Sequence, residues 1–596
     1  MSSEARRYVA LPRRRGDAAA TEAIQALMPL GAPVAGSHAA PPAPAAARPL
    51  AREPVRTRER GGVDVARPRP PAQVEPASVT QARAQSGHRY SVGDRLRTVL
   101  AATRWELVFV LCAQVVLSAR LFGMNTAFGD EALYLYAGRL EIAHWLHGAA
   151  IPAFPTYFSG APVIYPPIAA MADSLGGLAA ARAFSLVCML GATIFLWAIT
   201  SRLFERRAAF FAAGSWAVLG PTLHVASFAT YDAFALLLIA AATWCVLHVG
   251  DDYDAASWML AGGTVLALAN AVLYSSVLYD PVVVALAFFG AFPRPGLKRA
   301  LTRASMVAAQ AALVGLLLLK LGGHEYTTGL GVTTLSRARG DNSVSAVVHS
   351  SWIWVGLLAA MAFAAWALSF LYRLNGGRRA MLLVFAVAVL LAPFEQARLH
   401  TLVSLNKHVD FGAWFAAAAV GYFAGGVAAW PRARLARGVT SAVLVGAFGI
   451  LAIAGARQST QMTTWPGAAK LVADVRPHTT KGAHFLAETD SVLEYYLPDT
   501  SWRQWSSTAS ITLPTGRVQN EKGAVKPYIQ AIEHHYFSIV VLSFTSTPAI
   551  DARITKALRS NKSYRIIAKV PFSGAKHGYY TVWALEHHGT RRARHS

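Results

Sequence analysis

Apolar runs of about the length needed to cross a lipid bilayer recur through most of this sequence. A transmembrane helix requires roughly 20 predominantly apolar residues, and such runs occur about eleven times along the chain. The predicted spans lie near residues 105–122, 182–200, 208–222, 227–249, 257–273, 281–293, 301–321, 351–372, 380–396, 411–429 and 438–455. The sequence therefore predicts a polytopic α-helical membrane protein.

The composition supports this class and argues against nucleic acid as a partner. Hydrophobic residues make up 54% of the 596 positions and charged residues only 15%, which is too apolar for a single soluble domain. The formal net charge is +24, but the arginines and lysines gather in an N-terminal tail and between the apolar runs. Membrane orientation produces that distribution, whereas a nucleic-acid site would need a basic patch with a readable motif.

Residues 1–100 are rich in Ala, Pro and Arg and show no periodicity that could bury a core. We therefore expect a disordered cytoplasmic tail. Two interpretations of the tail stay open: an electrostatic tether to anionic membrane lipids, or a low-complexity extension without a role of its own.

The loops between the apolar runs set the predicted orientation. If the tail is cytoplasmic, alternate loops should be basic as well. This pattern requires that residues 164–181, which contain two prolines and two glycines, do not cross the membrane; counting them as a span would place Arg202 outside. The membrane module then covers residues 101–456, with a long first external loop at 123–181. The basic inner loops contain Arg202, Arg206 and Arg207; Arg294, Lys298, Arg299 and Arg303; Arg373, Arg378 and Arg379; and Arg432, Arg434 and Arg437.

Residues 457–596 form a second predicted domain, on the external side. Strand-like runs at 538–544, 564–570 and 579–585 alternate with helix-like runs at 491–496, 528–534 and 550–558. This alternation predicts a small extracytoplasmic α/β domain. It has no cysteine, so we expect packing alone to stabilise it.

The first external loop contains the stretch "FGDEALYLYAGRLEIAHWLHG", residues 128–148, which opens with Asp130 and Glu131. The apolar stripe after this pair predicts a helix lying in the headgroup layer. The stretch resembles the first external loop of the GT-C glycosyltransferases, a superfamily that includes the protein O-mannosyltransferases and the bacterial aminoarabinose transferases of lipid A. Further features agree in order: Pro166-Pro167, Arg182, the turn Arg202 to Phe204, and Asp232 at the outer end of a later helix.

The sequence also departs from the lipid A transferases. They resemble each other in a Glu-Lys before the Pro-Pro pair, where this chain has Ile164 and Tyr165, and in an Arg three residues after the first Asp, where it has Leu133. These departures argue against lipid A as the acceptor and against a metal held by that Glu.

The resemblance implies transfer of a sugar from a polyprenyl-phosphate donor to an extracytoplasmic acceptor: a protein, a glycolipid or a cell-wall glycan. Such transfer passes through an oxocarbenium-like transition state, so a carboxylate and a base are useful, and we expect Asp130, Glu131 and Asp232 to be catalytic. The departing lipid phosphate needs cations. The external basic residues near span ends are the predicted phosphate ligands: Arg337, Arg339, Arg398, Lys407 and His408.

No nucleotide cofactor is expected, because the donor contains its own leaving group and no Gly-rich phosphate loop is present. A divalent metal stays open. His224, His324 and Glu325 have metal-ligand side chains, but their spacing selects no metal, and we predict no metal ligands from the sequence.

Each candidate residue also has an interpretation without function. Asp130 could be a helix N-cap and Glu131 a first-turn charge. Arg337 and Arg339 could lie on a solvated loop, and Lys407 and His408 could extend towards headgroups.

Three other functions also stay open. A secondary transporter would place ionisable groups near the bilayer midplane. A polysaccharide polymerase or ligase of another fold, or a scaffold that binds glycans, would not need the first-loop carboxylate. We expect the C-terminal domain to select the acceptor or to bind glycan.

Overall fold

The structure is a computed structural model. It describes residues 104–248, 255–291, 296–337, 339–372, 374–430, 434–513, 516–519, 524–572 and 577–586. The prediction of a disordered tail at residues 1–100 lies outside these ranges.

The first two thirds of the described chain are helical. Short 3₁₀ or π turns join some of the helices. In chain order the helices are α1 (Trp105–Ala119), α2 (Gly129–His147), α3 (Tyr165–Leu203), α4 (Arg206–Ala217), α5 (Gly220–Val225), α6 (Tyr231–His248), α7 (Ala255–Val272), α8 (Asp280–Ala291), α9 (Leu297–Leu330), α10 (Val344–Ser351), α11 (Leu357–Leu371), α12 (Gly376–Arg398), α13 (Leu405–Ala429) and α14 (Arg434–Met462).

Within the described ranges, nine helical segments are long and apolar enough to cross a membrane, so the predicted multi-pass class is confirmed. Two of the predicted spans correspond to shorter helices. One is α1, with 15 residues. The other, near 208–222, divides into α4 and α5. Leu219 is extended, and Pro221, which lacks a backbone N–H, lies in the first turn of the new helix.

The helix α3 contains a break that separates its first arm from the rest. Gly176 and Gly177 have non-helical backbone angles, and Gly177 has a φ of 66°, which glycine adopts without steric cost. The break falls within the segment that the sequence analysis treats as non-spanning. It lets the first arm, which begins at Tyr165, run in a different direction from the arm that contains Arg182.

The helix α2 packs closely on that first arm. A Cβ atom placed on Gly138 would lie 2.0 Å from the carbonyl oxygen of Pro166, so only glycine permits this approach. The two parts of the first loop are thereby held together.

The C-terminal domain is an α/β domain, as predicted. Its elements are α15 (Ala469–Val475), β1 (His484–Ala487), α16 (Asp490–Tyr496), β2 (Trp505–Ser507), β3 (Ser510–Leu513), β4 (Gly516–Gln519), α17 (Lys526–Glu533), β5 (Phe537–Leu542), α18 (Pro548–Ser560), β6 (Tyr564–Phe572) and β7 (Gly578–Leu585). They form one sheet in the order β4-β3-β2-β1-β5-β7-β6. β1 pairs in parallel with β2 and β5, and the remaining pairs are antiparallel. Apolar clusters cover both faces of the sheet.

The C-terminal domain is docked on the first loop through α16. The Tyr495 hydroxyl donates to Asp173 at 2.7 Å, and Arg139 of α2 forms an ion pair with the same carboxylate at 2.5 Å. Next to it, the Tyr496 hydroxyl accepts the backbone N–H of Ala127 at 2.8 Å. Burial, followed by the hydrogen bond to Asp173, raises the pKa of Tyr495, so this phenol stays neutral.

A buried acidic pair lies at the carboxyl ends of β1 and β5. Glu488 accepts backbone N–H groups from the segment after β5, among them those of Ser543 at 3.0 Å and Thr547 at 2.8 Å. Asp551, which is fully buried, accepts the N–H of Phe544 at 3.1 Å. Burial, and then the neighbouring Glu488 charge, raises the pKa of Asp551 to about 8.

We predict that the C-terminal domain loses stability as the pH rises from about 6 to about 8. In this window the folded domain retains the Asp551 proton, while the unfolded chain, with an ordinary pKa near 3.8, has lost it. The stability present at low pH is therefore lost, by about 2 kcal/mol across the window. Limited proteolysis of the full-length protein at several pH values measures this. Asp551→Asn should flatten the profile, and Asp499→Asn, at an exposed position, should not. A wild-type profile that is flat or rises with pH would contradict the prediction.

Candidate active site

A cleft lies between the ends of several helices and the C-terminal domain. It encloses about 1540 Å³, including space open to solvent. Its wall includes the start of α2, the starts of α6 and α13, the turn after α9 and the edge of the C-terminal domain. The described residues on which the argument below depends are Asp130, Tyr134, Asp232, Arg337, Lys407, His408, Thr489, Ser491, Ser507, Ala509 and Ser510.

An ammonium between two carboxylates forms the centre of the cleft. Lys407 Nζ lies 3.4 Å from Asp130 Oδ2 and 3.4 Å from Asp232 Oδ2. The Asp232 side chain is fully buried, whereas 22% of the Asp130 side chain is exposed. Two negative charges and one positive charge leave one net negative charge. Asp130 is therefore the carboxylate that a molecule in the cleft can reach, and Asp232 holds the ammonium in place.

Three helix starts bring these groups together. Asp130 is the second residue of α2, Asp232 the second of α6, and Lys407 the third of α13. Asp130 does not cap its helix, because the N-cap position is Phe128. All three groups lie at helix ends rather than near the middle of a span.

Glu131 points away from the cleft. Its carboxylate is fully buried and forms a bidentate ion pair with Arg182, with Nε–Oε1 at 2.8 Å and Nη2–Oε2 at 2.7 Å. It also accepts the backbone N–H of Ala229 at 2.9 Å and that of Phe128 at 3.3 Å. This geometry makes Glu131 a positioning residue, which fixes the loop that presents Asp130.

The predicted phosphate ligands separate into two groups. Lys407, His408 and Arg337 line the cleft, and Arg337 follows the π-helical turn Gly331–Leu335. Arg398 is outside the cleft lining and forms an exposed ion pair with Glu395 at 2.6 Å. Arg339 is exposed and is also outside the lining.

His408 and Tyr134 also line the cleft, on the side formed by the helices. His408 Nδ1 is 2.9 Å from the Gln396 side-chain nitrogen. The Tyr134 ring packs on that of Tyr231, with the centroids 4.7 Å apart. Burial raises the pKa of Tyr134 well above its usual value, so its hydroxyl is a neutral hydrogen-bonding group.

The described residues contain no group of three or more His, Cys, Asp or Glu side chains placed to hold a metal ion. In the cleft, the Lys407 ammonium already occupies the space between the two carboxylates, where a cation would bind. Hard divalent cations require several oxygen ligands, and an ammonium at this point repels them.

Some residues of the cleft were missed by the sequence analysis. Tyr231 immediately precedes Asp232 and could have been proposed from that position. Thr489, Ser491, Ser507 and Ser510 lie more than 200 residues from Asp232 in the sequence and belong to a common residue type, so no local signal marks them.

The comparisons with known proteins concern the family and the fold. Residues 162–320 match the family model of dolichyl-phosphate-mannose-protein mannosyltransferases. The structure of ArnT from Cupriavidus metallidurans in the apo state is similar, with a TM-score of 0.57 and 16% identity over 81% of this chain and 98% of ArnT. The same protein bound to undecaprenyl phosphate gives a TM-score of 0.55 and 14% identity, over 80% of this chain and 97% of ArnT.

A comparison with curated protein sequences finds no significant match. The structural likeness nevertheless shows the fold: the chain has the fold of ArnT, and the resemblance found in the sequence is confirmed at this level.

We predict that Glu131→Gln destabilises the protein far more than Asp130→Asn does. The first change leaves the buried Arg182 guanidinium uncompensated, at a cost of about 3–5 kcal/mol. The second keeps Lys407 paired with Asp232 and should cost about 1 kcal/mol. Thermal unfolding of the detergent-solubilised variants measures the difference. If Glu131→Gln unfolded like the wild type but had lost activity, Glu131 would act in the chemistry instead.

Proposed function

We propose that the protein is a membrane glycosyltransferase that moves a sugar, hexosyl or pentosyl, from polyprenyl phosphate to a hydroxyl acceptor on the outer face of the membrane. The observation that carries this proposal is the reachable Asp130 carboxylate, paired with Lys407 in a cleft at the helix ends, within a GT-C fold. The N-terminal tail would then be cytoplasmic and the C-terminal domain extracytoplasmic.

The cleft provides the groups that this reaction needs. The acceptor oxygen forms a bond to the anomeric carbon, the bond from that carbon to the phosphate oxygen breaks, and the electron pair leaves with the polyprenyl phosphate. Asp130 takes the proton of the acceptor hydroxyl as general base. Lys407 has three N–H donors, of which two face carboxylates, so the third can bind the leaving phosphate together with Arg337.

The proposed donor is consistent with the comparisons. ArnT, whose fold this chain shares, has a solved structure with undecaprenyl phosphate, and the matching family model describes enzymes that use dolichyl-phosphate mannose. A polyprenyl phosphate would extend its chain into the bilayer while its headgroup reached the cleft.

The position of the charged groups favours a transferase over a transporter. Asp232 and Lys407 lie in the first turn of their helices, beside the C-terminal domain. Transporters place their binding site near the bilayer midplane, at broken helices.

Asp130→Asn should lower sugar transfer by at least about 100-fold, because the amide cannot accept the acceptor proton. Membranes containing wild-type or variant protein would be incubated with radiolabelled polyprenyl-phosphate sugars, and the label leaving the lipid would be counted. Glu106→Gln, an exposed acid at the start of α1, is the matched control and should transfer normally. Normal transfer by correctly expressed Asp130→Asn protein would refute the proposed role.

Arg337→Gln should raise the KM for the donor about 10-fold and change kcat less, because a charge-assisted contact to the phosphate is lost in both the ground and the transition state. Steady-state kinetics with varied donor concentration separates the two constants. Arg206→Gln, which removes an exposed arginine paired with Glu106, is the control. An unchanged donor KM in Arg337→Gln would remove Arg337 from the phosphate site.

A further inference from the structure

We infer that the C-terminal domain forms the acceptor side of the cleft and that the acceptor it binds there is a neutral carbohydrate. This inference rests on the proposed function and names the acceptor class. The carbohydrate wall, as we call it, consists of Thr489, Ser491, Ser507, Ala509 and Ser510, all of which line the same cleft as Asp130 and Lys407.

The sheet topology places the carbohydrate wall at an edge where ligands commonly bind. β1 and β2 are parallel, so their carboxyl ends lie at the same edge of the sheet. Thr489 and Ser491 follow β1, and Ser507 to Ser510 connect β2 to β3. In the sheet, β2 lies on one side of β1 and β5 lies on the other, so the strand order changes direction at β1. In open α/β sheets, ligands bind at the carboxyl ends of strands beside such a change of direction.

Ser491 provides an independent indication of a ligand. The residue is fully buried, and its Oγ has no hydrogen-bond partner among the residues that the structure describes. Burying a hydroxyl without a partner is unfavourable, because the hydrogen bonds it made with water are lost. A hydroxyl of a bound molecule in the cleft would provide the missing partner.

The charge distribution of the cleft indicates the chemical class of the acceptor. Arg337 and Lys407 belong to the helical module. In the described part of the cleft, the side chains contributed by the C-terminal domain are hydroxyls and one methyl group. Hydroxyls donate and accept hydrogen bonds, as sugar hydroxyls require, but they cannot neutralise the phosphates or carboxylates of an acidic acceptor.

The docking of the C-terminal domain fixes the carbohydrate wall relative to the reacting groups. Ser491 lies on α16, the helix whose Tyr495 and Tyr496 contact the first loop. The same loop contains Asp130. The contacts of Tyr495 and Tyr496 therefore hold the carbohydrate wall at a fixed distance from Asp130. A glycan bound to the wall would have one hydroxyl close to this base.

The test measures where the label from the donor goes. Full-length protein in lipid nanodiscs would receive radiolabelled polyprenyl-phosphate sugar and one of three acceptor pools: neutral oligosaccharides, oligosaccharides bearing phosphate or uronate groups, and peptides containing Ser and Thr. We expect label in the neutral pool. Ser491→Ala should raise the KM for the neutral acceptor about 3- to 10-fold, the value of one neutral hydrogen bond, with the donor KM unchanged.

Two further variants make the result specific. Thr489→Val keeps the side-chain shape, removes the hydroxyl at a partly exposed position, and should also raise the acceptor KM, so the test does not depend on the folding of Ser491→Ala. Thr555→Val, in α18 and outside the cleft lining, also removes a buried hydroxyl without a partner in the described chain. It should leave both KM values unchanged.

The outcomes separate this inference from the proposed function. Label transferred to the peptide or acidic pool, with Ser491→Ala and Thr489→Val equal to the wild type, would overturn the carbohydrate wall and leave the transferase proposal standing. If the wild-type protein transferred no label from the donor to any of the three pools, both the carbohydrate wall and the transferase proposal would be overturned.

Discussion

The buried ion pair between Glu131 and Arg182 is the interaction on which the rest of the site depends. Each group makes several further bonds: Glu131 accepts backbone N–H groups from Phe128 and Ala229, and Arg182 donates to the carbonyl oxygens of Phe122 and Asn125. Two buried charges are tolerated only when their hydrogen bonds are satisfied in this way. The pair joins the first loop, the long arm of α3 and the segment before α6, so it determines where Asp130 and Asp232 lie.

A second pairing follows from that arrangement. Asp130 and Asp232 would repel each other at close range, and the Lys407 ammonium between them offsets this repulsion. The three side chains come from three helices, and each depends on the others for its charge balance. The same group that stabilises the arrangement retains a donor for a phosphate. Stability and the proposed chemistry thus use one set of contacts.

The C-terminal domain contributes directly to the cleft. Its helix α16 packs on the first loop through Tyr495 and Tyr496, and the residues just before them face the cleft. The helical module contributes cations and carboxylates, and the sheet domain contributes hydroxyls. A charged lipid donor and a neutral acceptor would therefore meet at the boundary between two surfaces of different chemistry.

The sequence by itself determined the membrane class and the α/β domain, because apolar length and periodicity are local properties. The family resemblance singled out Asp130 and Asp232, and Lys407 was selected as a basic residue near a span end. The sequence left β1 to β4 unassigned, since strands of three or four residues show no readable alternation. It also placed Glu131 among the catalytic residues and Arg398 among the phosphate ligands. Only the tertiary structure decided that Glu131 faces Arg182, that Arg398 pairs with Glu395, and that Ser491 reaches the cleft. Contacts between residues that are far apart in the sequence depend on tertiary packing, and no local sequence pattern predicts them.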